Sequence, residues 1–95
     1  MTKSELVKNI SLHTGIDYTT SLKVVEAFMV EVKSSLERQE PVYLRGFGSF
    51  ILKHRAAKIA RNISNNTSVS VPAHDVPSFK PAKEFLNSIS KLSDF

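Results

Sequence analysis

The stretch from residue 45 to residue 72 restricts the fold more than any other part of the chain. It begins with RGFGSF, in which two glycines alternate with two phenylalanines. A glycine inside a strand pattern marks a bulge, a tight bend or the close approach of another backbone. Basic side chains then replace the large apolar ones up to residue 62, and residues 67–72 alternate polar and apolar side chains as a strand does. We therefore predict a long two-stranded ribbon, closed by a turn at residues 63–66.

The positive charge of the chain is concentrated in this ribbon and in the segment after it. The net charge is +4 overall, yet residues 1–52 sum to zero and residues 53–83 sum to +5. The charged side chains of the second segment are Lys53, Arg55, Lys58, Arg61, Lys80 and Lys83, against Asp75 alone. The outer half of the ribbon has too few large apolar side chains to form a core, so we expect it to bind an acidic partner. From charge alone, a solvated basic face that aids solubility is the alternative.

The length and composition indicate a small single-domain protein that spans residues 1–95. A chain this short buries only about two thirds of its unfolded surface, so we expect a homodimer. The absence of cysteine excludes disulfides and thiolate chemistry. Because we find no signal peptide and no apolar run near the roughly 20 residues of a membrane span, the expected location is the cytoplasm.

Two helices are predicted before the ribbon. Residues 2–5 fit a capping box, with Thr2 as N-cap and Glu5 reaching back to the Thr2 backbone N–H. The first helix should stop at Gly15, which readily takes the left-handed conformation. Asp17 is a natural N-cap for a second helix of about twenty residues, whose apolar side chains recur every three or four positions and which ends before Pro41.

The rest of the chain predicts strands and one closing helix. Residues 42–45 resemble a short first strand, in which we expect Tyr43 to be structural. Pro72 and Pro77 permit extended chain but not a central strand, because neither has a backbone N–H to donate. Pro81 is expected in the first turn of the last helix. The element order is helix, helix, three strands with an extended arm, helix, which is an α+β fold.

Other functional classes find little support in the sequence. A helix-turn-helix reader would carry base-reading side chains near the start of its second helix, where residues 18–24 offer few, and the basic excess lies elsewhere. A base-stacking platform of phenylalanines is less favoured than core packing, because these residues lie in strand and helix stripes. His13, His54 and His74 are too scattered to predict a metal site. No pattern places a nucleophile beside a base, so we expect neither an enzyme nor a cofactor.

The motifs GFGSF at residues 46–50, RAA at 55–57, RN at 61–62, PA at 72–73 and VPSFKP at 76–81, with Lys83, together resemble the HU/IHF family of bacterial histone-like nucleoid DNA-binding proteins. The resemblance implies an intertwined dimer with a helical dimerisation base at residues 1–41, a three-stranded antiparallel sheet at 42–80 with a β-ribbon arm at about 53–73, and a C-terminal helix at 81–95. It implies arms that bind the minor groove of double-stranded DNA, bend or wrap it with low sequence specificity, and compact the nucleoid.

The resemblance also implies roles for individual residues. The DNA-binding residues carried over by position are Lys3, Arg45, Gly46, Gly48, Lys53, Arg55, Lys58, Ala60, Arg61, Asn62, Ile63, Ser64, Lys80 and Lys83. Ile63, at the arm tip, would be the wedge pushed between base pairs. The dimer core would contain Phe28, Phe47, Phe50 and Phe79.

The sequence departs from the family pattern at the arm tip and before the last helix. Ile63 stands where the family usually has proline; Ala60 and Ala82 stand where it usually has glycine. A branched apolar side chain still serves as a wedge, although it lacks the rigid ring. Three alternatives stay open: a site-preferring DNA bender of the IHF type, a basic-arm module for RNA or an acidic protein, and a heterodimer with a paralogue instead of a homodimer.

Overall fold

The fold is a helical hairpin followed by two antiparallel sheets and a last helix. The computed structural model describes residues 1–62 and 67–90 and, for residues 61 and 62, the backbone alone. The elements are α1 (Lys3–Thr14), α2 (Tyr18–Glu37), β1 (Val42–Leu44), β2 (Gly48–Arg55), β3 (Lys58–Asn62), β4 (Thr67–Val71), β5 (His74–Pro81) and α3 (Lys83–Ser90). The predicted α+β class, with a helical hairpin, a three-stranded sheet and an arm, is confirmed. Among the described residues, no helix combines the length and apolar character needed to cross a bilayer.

Helix α1 begins and ends on the predicted residues. The Thr2 hydroxyl accepts a hydrogen bond from the Glu5 N–H (3.3 Å), which satisfies one of the free N–H groups of the first turn. The second half of the predicted capping box is wrong, because the Glu5 carboxylate accepts from the Thr2 hydroxyl (3.3 Å) and not from the Thr2 N–H. Gly15 ends the helix with φ 76° and donates its N–H to the Ser11 carbonyl (3.0 Å).

Helix α2 is held at its start by Asp17, as predicted. The Asp17 carboxylate accepts from the Thr20 N–H (2.9 Å) and from the Thr20 hydroxyl (2.8 Å). Both donors stabilise the ionised carboxylate, the backbone N–H most, and they hold the pKa of Asp17 below its ordinary value. Asp17 therefore contributes a cap whose strength depends on pH.

We expect the Asp17→Asn variant to lose less stability in acid than the wild-type protein does. Asparagine also caps a helix but does not ionise. The pKa of the Asp17 carboxyl in the folded protein, by contrast, lies below its ordinary value of 3.8. The extra stability from the ionised form is present above that ordinary value and is lost as the pH falls through the lower folded-state pKa. Urea midpoints measured from pH 7 to pH 2 should favour the wild type at neutral pH, and the difference should shrink in acid. A difference that does not change with pH would contradict this role of the carboxylate.

Helix α2 ends in a Schellman motif that lacks its usual glycine. The Glu40 N–H donates to the Ser35 carbonyl (2.9 Å) and the Gln39 N–H to the Leu36 carbonyl (2.9 Å). The Ser35 hydroxyl adds a bond to the Glu40 carbonyl (2.7 Å). Gln39 occupies the left-handed position with φ 64°, which is unfavourable for a residue with a Cβ. The turn before β1 is thus stabilised by its hydrogen bonds at the expense of backbone strain in Gln39.

Replacing Gln39 with glycine is expected to stabilise the protein by about 1 kcal/mol per chain, because glycine adopts positive φ without the Cβ penalty. The matched control is Arg38→Gly at the neighbouring position, whose φ of −88° favours no glycine. That control should lose stability, because it adds freedom to the unfolded chain and removes the exposed ion pair between Arg38 Nε and Glu40 Oε1 (3.8 Å). Both are measured by urea unfolding. Equal effects of the two substitutions would show that strain at residue 39 is not what limits the turn.

The strands form one three-stranded and one two-stranded antiparallel sheet, with orders β1-β2-β5 and β3-β4. The predicted ribbon is therefore not continuous: residues 56–57 separate β2 from β3, and residues 72–73 separate β4 from β5. At the second break, Pro72 has no N–H to donate, and its carbonyl accepts from His74 Nδ1 (2.8 Å). Pro72 lies in no strand, and Pro77 lies in β5, which is an edge strand of its sheet, so the predicted exclusion of both from a central strand is confirmed.

The last helix starts later than predicted. Pro81 is the final residue of β5 and not part of the first helical turn, because α3 begins at Lys83. Ala82 lies between the two elements: its N–H donates to the Phe47 carbonyl (2.9 Å) and its carbonyl accepts from the Leu86 N–H (2.9 Å). This places α3 directly beside the Gly46 turn.

The chain alone encloses very little core. Among the described residues, Val7 (0% exposed) and Leu36 (8%) are the buried hydrophobic side chains. The phenylalanines form a connected cluster, with ring centroids 6.3 Å apart for Phe28 and Phe50 and 5.0 Å for Phe50 and Phe79. Even so, Phe28 stays 43% exposed. The radius of gyration is 18.7 Å, against about 13 Å for a compact domain of about 100 residues. Helices and sheet thus meet along an apolar surface that one chain does not cover.

Candidate nucleic-acid interface

The three-stranded sheet has two chemically different faces. Val42, Phe50 and Phe79 lie in one row across the strands, and the Phe50 ring contacts Phe28 of α2. Side chains of neighbouring residues in a strand point to opposite faces. The next row, Tyr43, Ser49 and Lys80, therefore lies on the face turned away from the helices. We call this side the outer face; in β2 it carries residues 49, 51, 53 and 55, and in β5 residues 74, 76, 78 and 80.

The outer face carries a line of exposed cations. Lys80 lies opposite Ser49, Lys53 opposite Val76, and Arg55 opposite His74. All three cationic side chains are exposed, and within residues 1–60 and 67–90 none of them makes an ion pair. Their positive potential is therefore not neutralised by the part of the protein that the structure describes.

Near α3, the outer face ends in a cleft of about 410 Å³. Gly46 forms the tight turn of this region with φ 81°, and the Phe47 N–H donates to the Leu44 carbonyl (3.0 Å). The turn brings two segments of the chain together, residues 43–49 and residues 80–83. Five of the predicted site residues line the cleft: Arg45, Gly46, Gly48, Lys80 and Lys83. Three of these are cations, so the cleft is suited to an anion.

A second basic cleft lies at the base of the arm. It has a volume of about 670 Å³ and is lined by Arg55 and Lys58 with His74 and Val76. Beyond it, Ala60 pairs with Val69 in the β3–β4 arm. The backbones of residues 61 and 62 pair with Ser68 and Thr67. Two predicted contacts, Ile63 as the wedge and Ser64, lie outside the described residues and stay predictions.

Lys3 is the one predicted contact that stands apart from this surface. Its Nζ lies 3.9 Å from Glu26 Oε1 of α2, and both side chains are about half exposed. An exposed ion pair of this kind contributes only about 0–1 kcal/mol. The pair therefore does not prevent Lys3 from turning to an external anion.

Two features of the surface were missed by the sequence reasoning. Asp75 is the register partner of His54, and its Oδ1 lies 3.0 Å from His54 Nδ1. Both belong to the same face as Phe50 and Phe79, so the single acid of residues 53–83 points away from the cationic side. Tyr43, expected to be structural, lies on the outer face and is 73% exposed. Strand alternation would have revealed both, but only once the register of β1, β2 and β5 was known.

The opposite side of the sheet carries an apolar groove of about 550 Å³ between α2 and strands β2 and β5. Its lining includes Phe28, Met29, Val32, Leu36, Phe50, Leu52 and Pro77. Two of the predicted dimer-core residues, Phe28 and Phe50, lie in the groove. Phe47 and Phe79 pack beside it, with centroids 5.1 Å apart, and Phe47 stacks on Phe85 of α3 (5.4 Å).

Nowhere among the described residues do three His, Cys, Asp or Glu side chains lie close enough together to bind a metal ion.

Comparison with known proteins assigns the chain to a family. The family model described as "Bacterial DNA-binding protein" matches residues 1–90. The chain is 40% identical over 91 residues to the integration host factor subunit beta of Marinobacter nauticus, covering 95% of this chain and 93% of that protein. It is 34% identical over 90 residues to DNA-binding protein HRL53 of Rhizobium leguminosarum, covering 95% and 99%. The structure of Anabaena HU in a cocrystal with DNA matches with a TM-score of 0.90 at 29% identity, covering 95% and 98%. The chain belongs to the bacterial DNA-binding protein family, which includes HU and integration host factor.

Proposed function

We propose that this protein is an architectural double-stranded DNA-binding protein of the nucleoid. As a dimer it holds the duplex on its outer faces, places its β3–β4 arms in the minor groove, and bends or wraps DNA with low sequence specificity. The observation that carries the proposal is the line of cations along the outer face, which no carboxylate of the described residues neutralises. It runs from the cleft beside α3, which Lys83 lines, to the cleft at the arm base, which Lys58 lines. The minor-groove mode is what the family resemblance implies.

The chemistry of the outer face favours backbone contacts over base readout. Lysine and arginine gain affinity by displacing counterions from phosphates, and such contacts position a protein without reading sequence. The carboxylates that could oppose a phosphate are few here: Asp75 faces the other way, and Glu84 lies in the first turn of α3. Low sequence specificity follows from a surface of this kind.

The apolar groove supports a dimer. Phe28 and Met29 are 43% and 44% exposed there, which is unfavourable in water for two large apolar side chains. A second copy of the same chain, or a paralogue, would cover the groove and complete the core. Because the groove opens on the helix side of the sheet, its occupant leaves the outer face free for DNA.

The arm supports a role as a DNA-binding element. An isolated two-stranded ribbon is only marginally stable in water. Ile59 and Val69 are 76% and 48% exposed in β3 and β4, so the arm has no core of its own. Contacts with a duplex would supply the stability that the ribbon lacks, and the larger contact surface would offset the energy of bending DNA.

The test is a salt-titrated binding assay on linear, nicked and bent duplexes, with the mass of the protein measured in parallel. A dimer that contacts about 6–10 phosphates should give a slope of log K against log salt of about −5 to −9. A slope near −1, or a single-subunit mass at working concentrations, would contradict the wrapped dimer.

The similarity to integration host factor subunit beta supports a second candidate function, that of a site-preferring DNA bender. The minor groove separates A·T from G·C pairs poorly, so such a preference would arise from DNA deformability. Competition between a candidate site and mixed genomic DNA discriminates between the two. Stronger retention on RNA or single strands than on duplex DNA would instead indicate the basic-arm interaction module.

A further inference from the structure

Tyr43 occupies an unusual place on the outer face. It is the middle residue of β1, where Val42 and Leu44 on either side are partly buried and Tyr43 is 73% exposed. Its register partner is Ser49, and the partner of Ser49 is Lys80. The phenol thus stands at one end of a polar row that crosses the sheet. Packing gives no reason for an aromatic ring at this point.

The Tyr43 side chain lines the cleft that contains Arg45, Lys80 and Lys83. Tyr43 and Lys80 are separated by one strand, so their backbones are roughly 10 Å apart and a group bound between them is within reach of both side chains. Across the described chain, the Tyr43 hydroxyl has no hydrogen-bond partner. Within the described residues, a neutral donor without a partner therefore lines the same cleft as three cations.

We propose that Tyr43 is a further DNA-contact residue, whose hydroxyl donates a hydrogen bond to a backbone phosphate held in this cleft. The inference rests on the proposed function. Arg45, Lys80 and Lys83 supply the charge, and Tyr43 supplies a directional bond that fixes where the phosphate sits. Tyrosine hydroxyls are among the groups that make such contacts in protein–DNA complexes. The apolar groove lies on the opposite face, so a second subunit bound there leaves Tyr43 exposed.

The test is the Tyr43→Phe variant, which removes one oxygen and keeps the ring. We expect its affinity for a duplex to fall roughly three- to tenfold for each hydroxyl removed, hence roughly ten- to hundredfold for a dimer that loses two. The loss should be similar on unrelated sequences, because a phosphate is the acceptor. The salt slope should not change, because no charge is removed. For comparison, Lys80→Gln should reduce the slope by about 2 per dimer.

Tyr18 provides the matched control, since the chain has two tyrosines and no tryptophan. Tyr18 is 42% exposed at the start of α2, outside the cleft, so Tyr18→Phe should bind DNA as the wild type does. In that variant the only tyrosine fluorescence comes from Tyr43. Bound duplex should protect it from quenching by acrylamide, a neutral quencher that does not respond to the charge of DNA.

The outcomes separate this inference from the proposed function. Unchanged affinity of Tyr43→Phe together with normal binding by the wild type overturns the Tyr43 contact alone. The Tyr43 contact is also overturned if the loss of affinity is confined to one DNA sequence or if the salt slope of Tyr43→Phe changes. It is overturned as well if acrylamide quenches the fluorescence of Tyr43 equally with and without DNA. A wild-type protein that fails to bind duplex DNA overturns both proposals.

Discussion

Replacing Gly48 with alanine is expected to destabilise the fold by about 3 kcal/mol, the upper end of the usual cost of overpacking and a large fraction of the stability of a small protein. A Cβ at residue 48 would lie 2.5 Å from Phe79 Cζ and 2.6 Å from the Lys80 carbonyl oxygen. The carbonyl is part of the β5 backbone, which pairs with β2 over its whole length, so it cannot move aside alone. The clash of the added Cβ can be relieved only if β5 separates from β2 or if the Phe79 ring leaves the core.

The neighbouring Gly46 is a control with the same chemical change. Apart from its two chain neighbours, no described residue has an atom within 4 Å of a Cβ built at Gly46, but φ is +81°, so Gly46→Ala should cost only about 1–2 kcal/mol of backbone strain. Urea unfolding of both variants measures the difference. Equal losses would show that close packing at Gly48 is not what excludes a side chain.

The second large effect concerns DNA binding. Substituting Arg55 and Lys58 together with glutamine removes four charges from a dimer at the arm base. We expect the salt slope to become shallower by about 3 to 4 and the affinity near physiological salt to fall roughly 10²–10³-fold, alike on unrelated sequences. Both side chains line the same cleft and are exposed, so the fold should be unaffected. Fluorescence anisotropy over a range of salt concentrations measures both quantities.

Lys8→Gln with Lys23→Gln provides the control for this experiment. These lysines are exposed on α1 and α2, away from both basic clefts, and the double change removes the same charge. It should reduce affinity only slightly, through the overall field of the protein. If the helical pair costs as much affinity as the arm pair, DNA is not held on the outer face.

Local chemistry allowed much of this fold to be predicted from the sequence. Thr2, Gly15 and Asp17 mark helix ends because capping depends on residues near each other in the chain. The glycine pair at 46 and 48 indicated a bend and a close approach, and the structure assigns one role to each. The family resemblance extended the prediction to the arm and to the basic site residues.

The missed features depend on contacts between distant segments. The His54–Asp75 pair and the exposure of Tyr43 follow from strand register, which no local pattern supplies. Pro81 was assigned to a helix because its ring fits a first turn, yet it also fits the end of an edge strand. The left-handed conformation of Gln39 could not be predicted from its residue type. It is imposed by the hydrogen bonds of the Schellman motif.

The two prolines of β5 also affect how molecules meet one another. A proline tolerated in an edge strand has its nitrogen directed away from the neighbouring strand, and Pro77 and Pro81, four residues apart, share that direction. The β5 edge of the sheet therefore lacks two donors that an incoming strand would need. Sheet growth by edge-to-edge addition is thereby opposed, which favours discrete particles over fibrils where many copies crowd together.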